Sequence, residues 1–155
     1  MVVRLNGVNR RNLAAPCGLY CGACIAYLVS KTCHGCMCTC ESCDAQSLRK
    51  KCRIHNCCFK RHDIETCCKC KDFPCSLLTQ FCHDPVWTTH STVIENLRRR
   101  KKLGTDKWLE EQDRTWRDRK YLSRWLWLQE KCVNKSKSYL EESRHINAKM
   151  ANQQV

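Results

Sequence analysis

Cys21 with Cys24, Cys33 with Cys36 and Cys67 with Cys70 are pairs of cysteines separated by two residues. That gap lets both sulfurs reach one metal from a single backbone turn. Cys17 extends the first pair into a C-x3-C-x2-C triplet, whose Gly18 and Gly22 can supply the positive φ angles needed to wrap a loop round a cluster. Three such hooks imply more than one metal site. Two separated knuckles such as Cys33/Cys36 and Cys67/Cys70 satisfy the tetrahedral four-sulfur demand of structural Zn2+. A local triplet joined to a remote cysteine, beside a proline as at Pro74-Cys75, is closer to the way a [4Fe–4S] cluster is held. Iron and sulfur are therefore favoured over zinc, with two clusters expected. If the triplet pairs with a remote Cys such as Cys75, the second site draws on Cys36, Cys52, Cys57, Cys67 and Cys70.

The elements that must position these thiols are sparse. The chain has 155 residues, room for one domain or for one small module with an appendage. Its 43% apolar content includes 17 cysteines, 16 of them between Cys17 and Cys82, so the oily core is thin and crosslinks must replace it. Disulfides fit poorly. The count is odd, neighbours such as Cys57-Cys58 and Cys67-Cys68 are awkward for intrachain bridges, and Met1–Leu13 has no apolar run of an export signal. No stretch approaches the roughly 18 to 20 apolar residues of a membrane span. These features predict a cytoplasmic location.

Composition changes at residues 84–91. Before that boundary only Gly18-Leu19-Tyr20 and Ile25–Val29 look like packing elements, the latter one or two helical turns or a short strand. Beyond it, Thr92 and Glu95 have the spacing of a capping box and Gly104 follows Leu103 as a stop, predicting a helix over 92–103. Thr105 can cap a second, longer helix, which no Pro or Gly interrupts. Its stripe includes Leu109, Trp116, Leu122, Trp125, Leu126 and Leu128, and the polar residues 138–155 are expected to fray. The predicted class is a small, metal-stapled, irregular Cys-rich α(+β) domain over 1–91, followed by a basic Trp-rich helical extension over 92–137 and a polar tail over 138–155.

The formal charge of +13 points to an anionic partner, even after two thiolate sites of about −2 each are allowed for. Arg98, Arg99, Arg100, Lys101 and Lys102 are five consecutive cations, too many for one helix face, and read either as a solvated helix end or as a phosphate-binding patch. The tryptophans read first as packing residues. Trp125 and Trp127 lie about 200° apart round a helix, so one of them faces outward and could meet a partner. His34, His55, His62 and His83 lie among the cysteines but are read as solvated or as hydrogen-bond donors to sulfur, because thiol ligands are already plentiful. No acid or helix N-terminus singles out an activated thiol, so thiolate catalysis is disfavoured. The triplet also has the spacing used by enzymes that cleave S-adenosylmethionine, but about 70 Cys-rich residues cannot build their partial barrel.

Several long words of this chain, CGLYCGACIAY at 17–27, CHGC at 33–36, KCRIHNC at 51–57, CCKCKDFPC at 67–75 and ENLRRRKKLGTDKWLEEQ at 95–112, resemble the DUF3795 family of Cys-rich, mostly archaeal and bacterial proteins. The resemblance covers about residues 13–116. It implies metal ligands at Cys17, Cys21, Cys24, Cys33, Cys36, Cys52, Cys57, Cys67, Cys70 and Cys75, two more than two four-coordinate sites need. It implies no activity. Two departures stand out: the paired CxxC knuckles that follow the WLEEQ word in many relatives are missing, and Cys38, Cys40, Cys43, Cys58, Cys68 and Cys82 are surplus, as a third site, alternative ligands or free thiols. The function expected is that of an iron–sulfur protein serving as an electron-transfer or structural accessory subunit of a larger complex, with no independent catalysis and an acidic protein surface as partner. The alternatives are a zinc-binding RNA- or ribosome-associated protein and a thiol redox or metal-delivery factor.

Overall fold

The computed structural model describes residues 9–151, which are mostly helical, with no strand among them. The extended part of the expected α(+β) class is reduced to one bridge between Ala14 and Tyr20. Four short helices occupy the Cys-rich half: α1 (Ile25–Leu28), α2 (Ala45–Lys51), α3 (Arg53–Asn56) and α4 (Ser76–Cys82). The Ile25–Val29 segment thus settles as helix. The hooks Cys21–Cys24 and Cys67–Cys70 fold alike, each as a 3-10 turn closed by the N–H of the second cysteine on the carbonyl of the first at 3.0 Å. Gly18, at φ +93, lets the triplet loop press against the helix that follows the Cys-rich half; a Cβ there would lie 2.6 Å from the Val93 carbonyl oxygen.

Three longer helices complete the chain, α5 (Val93–Leu103), α6 (Thr105–Thr115) and α7 (Arg119–Ala151). α5 ends at Gly104 (φ 78) as expected, but the proposed capping box does not form. A 3-10 turn over Thr88–Thr92 leads straight into α5, so Thr92 is already near-helical and its hydroxyl bonds Thr89 O instead. Thr105 is not the cap of α6 either. Gly104 takes that place, accepting from Trp108 N through its carbonyl, while the Thr105 hydroxyl accepts from Arg100 Nε. The single long helix expected from Thr105 onward breaks at Trp116–Asp118, where the Asp118 carboxylate takes the N–H of Tyr121 and starts α7 afresh. The polar residues expected to fray are helical as far as Ala151, and the last few lie outside the described residues.

Cysteine replaces aliphatic side chains in the main core. Cys17, Cys58, Cys67, Cys68 and Cys82 are buried there with Ala15, Ile54, Leu78 and, from α5, Val93 and Leu97. A second cluster packs Leu13 and Ala14 against Trp108 and Leu109 of α6, with Tyr20 edge-on to the Trp108 ring at 6.1 Å. α7 docks beside the cysteine triplet through Gln129, which donates to Ala23 O at 2.6 Å and accepts from Ile25 N at 3.0 Å, filling both halves of its amide, and farther along through Lys135 Nζ on Pro85 O (2.9 Å) and the buried Cys132. Trp125 lies half-buried against Trp116 (5.1 Å), while Trp127 is 54% exposed beside Lys131. Of the pair, Trp127 is the outward one. No helix is long and apolar enough to cross a membrane among the described residues.

Candidate metal centre

The tightest set of potential ligands lies in the loop between α1 and α2. The loop is held at both ends by backbone bonds, Cys33 N to Ala26 O and Asp44 N to Thr32 O, and in its middle by Met37 N to Asn12 O. Gly35, at φ +104, packs so closely on Asn12 that a Cβ would lie 2.4 Å from its carbonyl oxygen. α2 clamps the loop from below: Gln46 Nε2 donates to the carbonyls of Thr39 (3.0 Å) and Cys40 (2.8 Å), and Arg49 donates to those of Cys36 and Cys38. Turning these carbonyls toward α2 leaves the side chains of His34, Cys38, Cys40 and Cys43 facing one another.

The ligand atoms of those four residues all lie within 4.8 Å of one another, with Cys38 and Cys43 buried. His34 Nδ1 is 3.0 Å from Cys40 Sγ, which is 2.9 Å from Cys38 Sγ. Tetrahedral zinc with bonds of about 2.0 to 2.3 Å spaces its ligand atoms by about 3.3 to 3.8 Å. The group is therefore the size of a single-ion site built from three sulfurs and one nitrogen. Its electrostatics differ from thiol to thiol. Burial pushes Cys43 up, but the N–H groups of His34 (3.1 Å away) and Ala45 outweigh it and leave the thiol below its ordinary value. Cys38 is raised, by its hydrogen bond to Cys40 and then by burial. Among the described residues no other set of three or more His, Cys, Asp or Glu ligand atoms is as compact.

None of the ten cysteines favoured from the sequence belongs to this group, and His34, read there as a bystander, does. Among the surplus thiols, Cys38, Cys40 and Cys43 form the set. The remaining surplus thiols are buried elsewhere: Cys58 beside Cys67 (3.4 Å), Cys68 beside Thr66 (3.5 Å) and Cys82 beside Ser91 O (3.5 Å).

Eight of the ten fall into two looser neighbourhoods. Cys17, Cys21, Cys36 and Cys52 feel one another's charge: burial, then Cys36 and Cys52, pushes Cys17 up to about 12, and burial with Cys52 does the same for Cys36. Cys21 is raised well above its ordinary value by burial and Cys36, although the Cys36 N–H donates to its sulfur at 3.3 Å. Cys57, Cys67, Cys70 and Cys75 line a cavity of about 20 Å3 with Cys58 and His62. Cys75 thus stands with the late hook rather than completing the triplet, because the turn before α4 folds back over Cys67–Cys70. Cys24 and Cys33 belong to neither set: Cys24 closes the first hook on Cys21 O, and Cys33 is pushed up to about 11, chiefly by burial and further by the charges of Cys43 and Cys24.

The five cations do not form one patch. Arg98 reaches Glu95 (3.8 Å), Arg99 is held by both oxygens of Glu111 (2.8 and 2.9 Å), Arg100 is buried, and Lys101 and Lys102 are exposed.

No family model, curated protein or solved structure matches this chain.

Two signals in the sequence could have found the compact site. Cys38-x-Cys40-x-x-Cys43 is a further short-spaced thiol run, and His34 stands four residues before it. Gln129 carried no signal, because a lone glutamine on a helix face reveals a partner only once the helices are placed.

Proposed function

We propose that this chain is a metal-stapled accessory protein with a zinc-type ion at His34, Cys38, Cys40 and Cys43 and iron–sulfur clusters at the two sulfur neighbourhoods. The mutual approach of four ligand atoms within 4.8 Å carries the reading. Support for iron and sulfur elsewhere comes from the sequence, where the C-x3-C-x2-C triplet of Cys17, Cys21 and Cys24 has a spacing that holds such clusters, and among the described residues neither set is as compact as the single-ion His34 group. Hydrogen bonds to sulfur from Cys36 N (3.3 Å, on Cys21) and His55 N (3.4 Å, on Cys52) are of the kind that tune such clusters. The motif words that resemble the DUF3795 family imply ligands among the same thiols. The role that follows is structural or electron-carrying, within a larger cytoplasmic assembly.

The test is metal and acid-labile sulfide analysis of protein purified without oxygen. The expected outcome is a brown protein containing zinc, iron and sulfide, in which Cys40→Ser removes the zinc and leaves the colour. A colourless protein with zinc alone would reduce the reading to a zinc module, and a folded, metal-free chain would end it.

A further inference from the structure

Two cations of the α5 run open onto a cleft rather than onto solvent at large. Arg100 and Lys101 line a cleft of about 530 Å3 between the Cys67–Lys69 turn and the α5–α6 corner, together with Arg11, Lys69 and Lys71. Two of these five cations are already neutralised, Arg11 by Asp106 at 2.8 Å and Lys69 by Glu65 at 3.0 Å. Lys71, Arg100 and Lys101 have no carboxylate within ion-pair distance among the described residues.

Arg100 is the informative member. It is 4% exposed, and its guanidinium donates only to neutral acceptors, Ala15 O and Thr105 Oγ1, both at 3.0 Å. The Trp108 ring lies 5.6 Å away, and Glu65, which also lines the cleft and pairs with Lys69, acts on the guanidinium only through space. A buried guanidinium without an anion is costly, and burial already draws its pKa below the ordinary value. Gly104 and Thr105 also line the cleft, so the positive end of the eleven-residue α6 adds to the same field. The volume falls within the roughly 300–1,000 Å3 of small-molecule sites. Three uncompensated cations and a helix N-terminus match the charge of two linked phosphates better than that of one carboxylate.

We propose that this cleft binds the phosphate groups of a small ligand with the charge of a diphosphate, through Arg100, Lys101 and Lys71. A rival account, in which Arg100 serves only as counter-charge to the nearby sulfurs of Cys17 and Cys68, gives Lys71 and Lys101 no part. The proposal does not depend on the metal reading, since metal analysis and anion titration are read separately.

The experiment is calorimetric titration of the full chain as purified with inorganic diphosphate, ADP and adenosine, with metal content measured before and after. Diphosphate and ADP should saturate one site with similar affinity, and adenosine should not bind. Lys71→Ala and Lys101→Ala should each weaken binding about tenfold. The control pair Arg98→Ala with Lys102→Ala removes the same charge outside the cleft and should leave affinity within about twofold. Arg100→Lys keeps the charge but loses the fork and should also weaken binding; if that variant fails to fold, the two lysine variants decide. Absence of saturable binding would overturn the proposal, as would equal losses in the cleft and control pairs. So would a single-stranded ribo-oligonucleotide that displaces diphosphate and depends on Arg98 and Lys102, which would mark a nucleic-acid surface instead.

Discussion

The two halves of this molecule solve the same problem with different materials. Among the described residues up to Cys82 no α-helix exceeds seven residues, the buried side chains are largely thiols, and the loops are held by backbone and side-chain bonds such as those from Gln46 and Arg49. From Val93 onward three helices of eleven residues or more pack Val93, Leu97, Trp108 and Leu109, with ion pairs such as Arg99–Glu111 at the rim. A thiol buries less apolar area than a leucine, so the first half lacks the hydrophobic term that usually offsets chain entropy. Crosslinking through ions can supply it, because a bound metal ties distant loops only in the folded state. Stability in the first half should therefore follow metal, and in the second half side-chain volume.

Chelation breaks the comparison most directly. Removing metal should open residues 13–82 to amide exchange while α5 and α6 retain protection longer, since structural zinc alone can contribute about 10–16 kcal/mol to small domains. Uniform loss, or none, would mean that the halves are not built differently. Acid should act the same way. Thiols must lose protons to bind metal, and those of Cys17 and Cys36 lie near 12 without it, so loading at neutral pH should release protons and affinity should fall as pH falls. A pH-stat titration with zinc or iron measures the release.

In the helical half the largest effect should come from Trp108→Ala, at about 3–5 kcal/mol, because the ring is fully buried between Leu13, Ala14 and Leu109. Gln129→Ala should cost less, about 1–3 kcal/mol, by leaving Ala23 O and Ile25 N without partners where α7 meets the triplet. Hydrogen exchange at Ile25 N would locate that loss. A Trp108 variant that also releases metal would show that the two halves share their stability rather than divide it.

How much of this was legible follows the same division. The helix ending at Gly104 could be read, as could the fact that one of Trp125 and Trp127 faces outward though not which, because periodicity and helix stops are local properties of the chain. The break before α7 was missed because it uses neither Gly nor Pro: Asp118 caps Tyr121 N while Trp116 stacks on Tyr121 at 4.8 Å. The hooks were legible as turns, but the partners of each hook were not. With 17 thiols of similar chemistry, the choice depends on which loops close, and closure is set by Gly35 packing on Asn12 and by Arg49 on the carbonyls of Cys36 and Cys38, contacts that cysteine spacing does not encode. Surplus cysteines also hid His34, since the thiols alone already outnumbered the coordination positions to be filled.

The smallest expected effect lies at the seam between the halves. Asp84 accepts from the N–H groups of Val86 and Trp87, both at 2.8 Å, and these bonds hold its carboxyl below the usual value. A depressed carboxylate stabilises the fold above its unfolded pKa and loses that contribution as pH falls through the folded one. Asp84 is half-buried and an asparagine there keeps an accepting oxygen for both N–H groups, so Asp84→Asn should cost less than about 1 kcal/mol near neutrality. The difference from the parent chain should vanish in strong acid, where metal loss has already taken the first half. A thermal-melt series from neutral pH downward measures it in the metal-loaded protein. A large, pH-independent loss would instead make the seam part of the metal-dependent core, and the division at residues 84–91 would move toward the C-terminus.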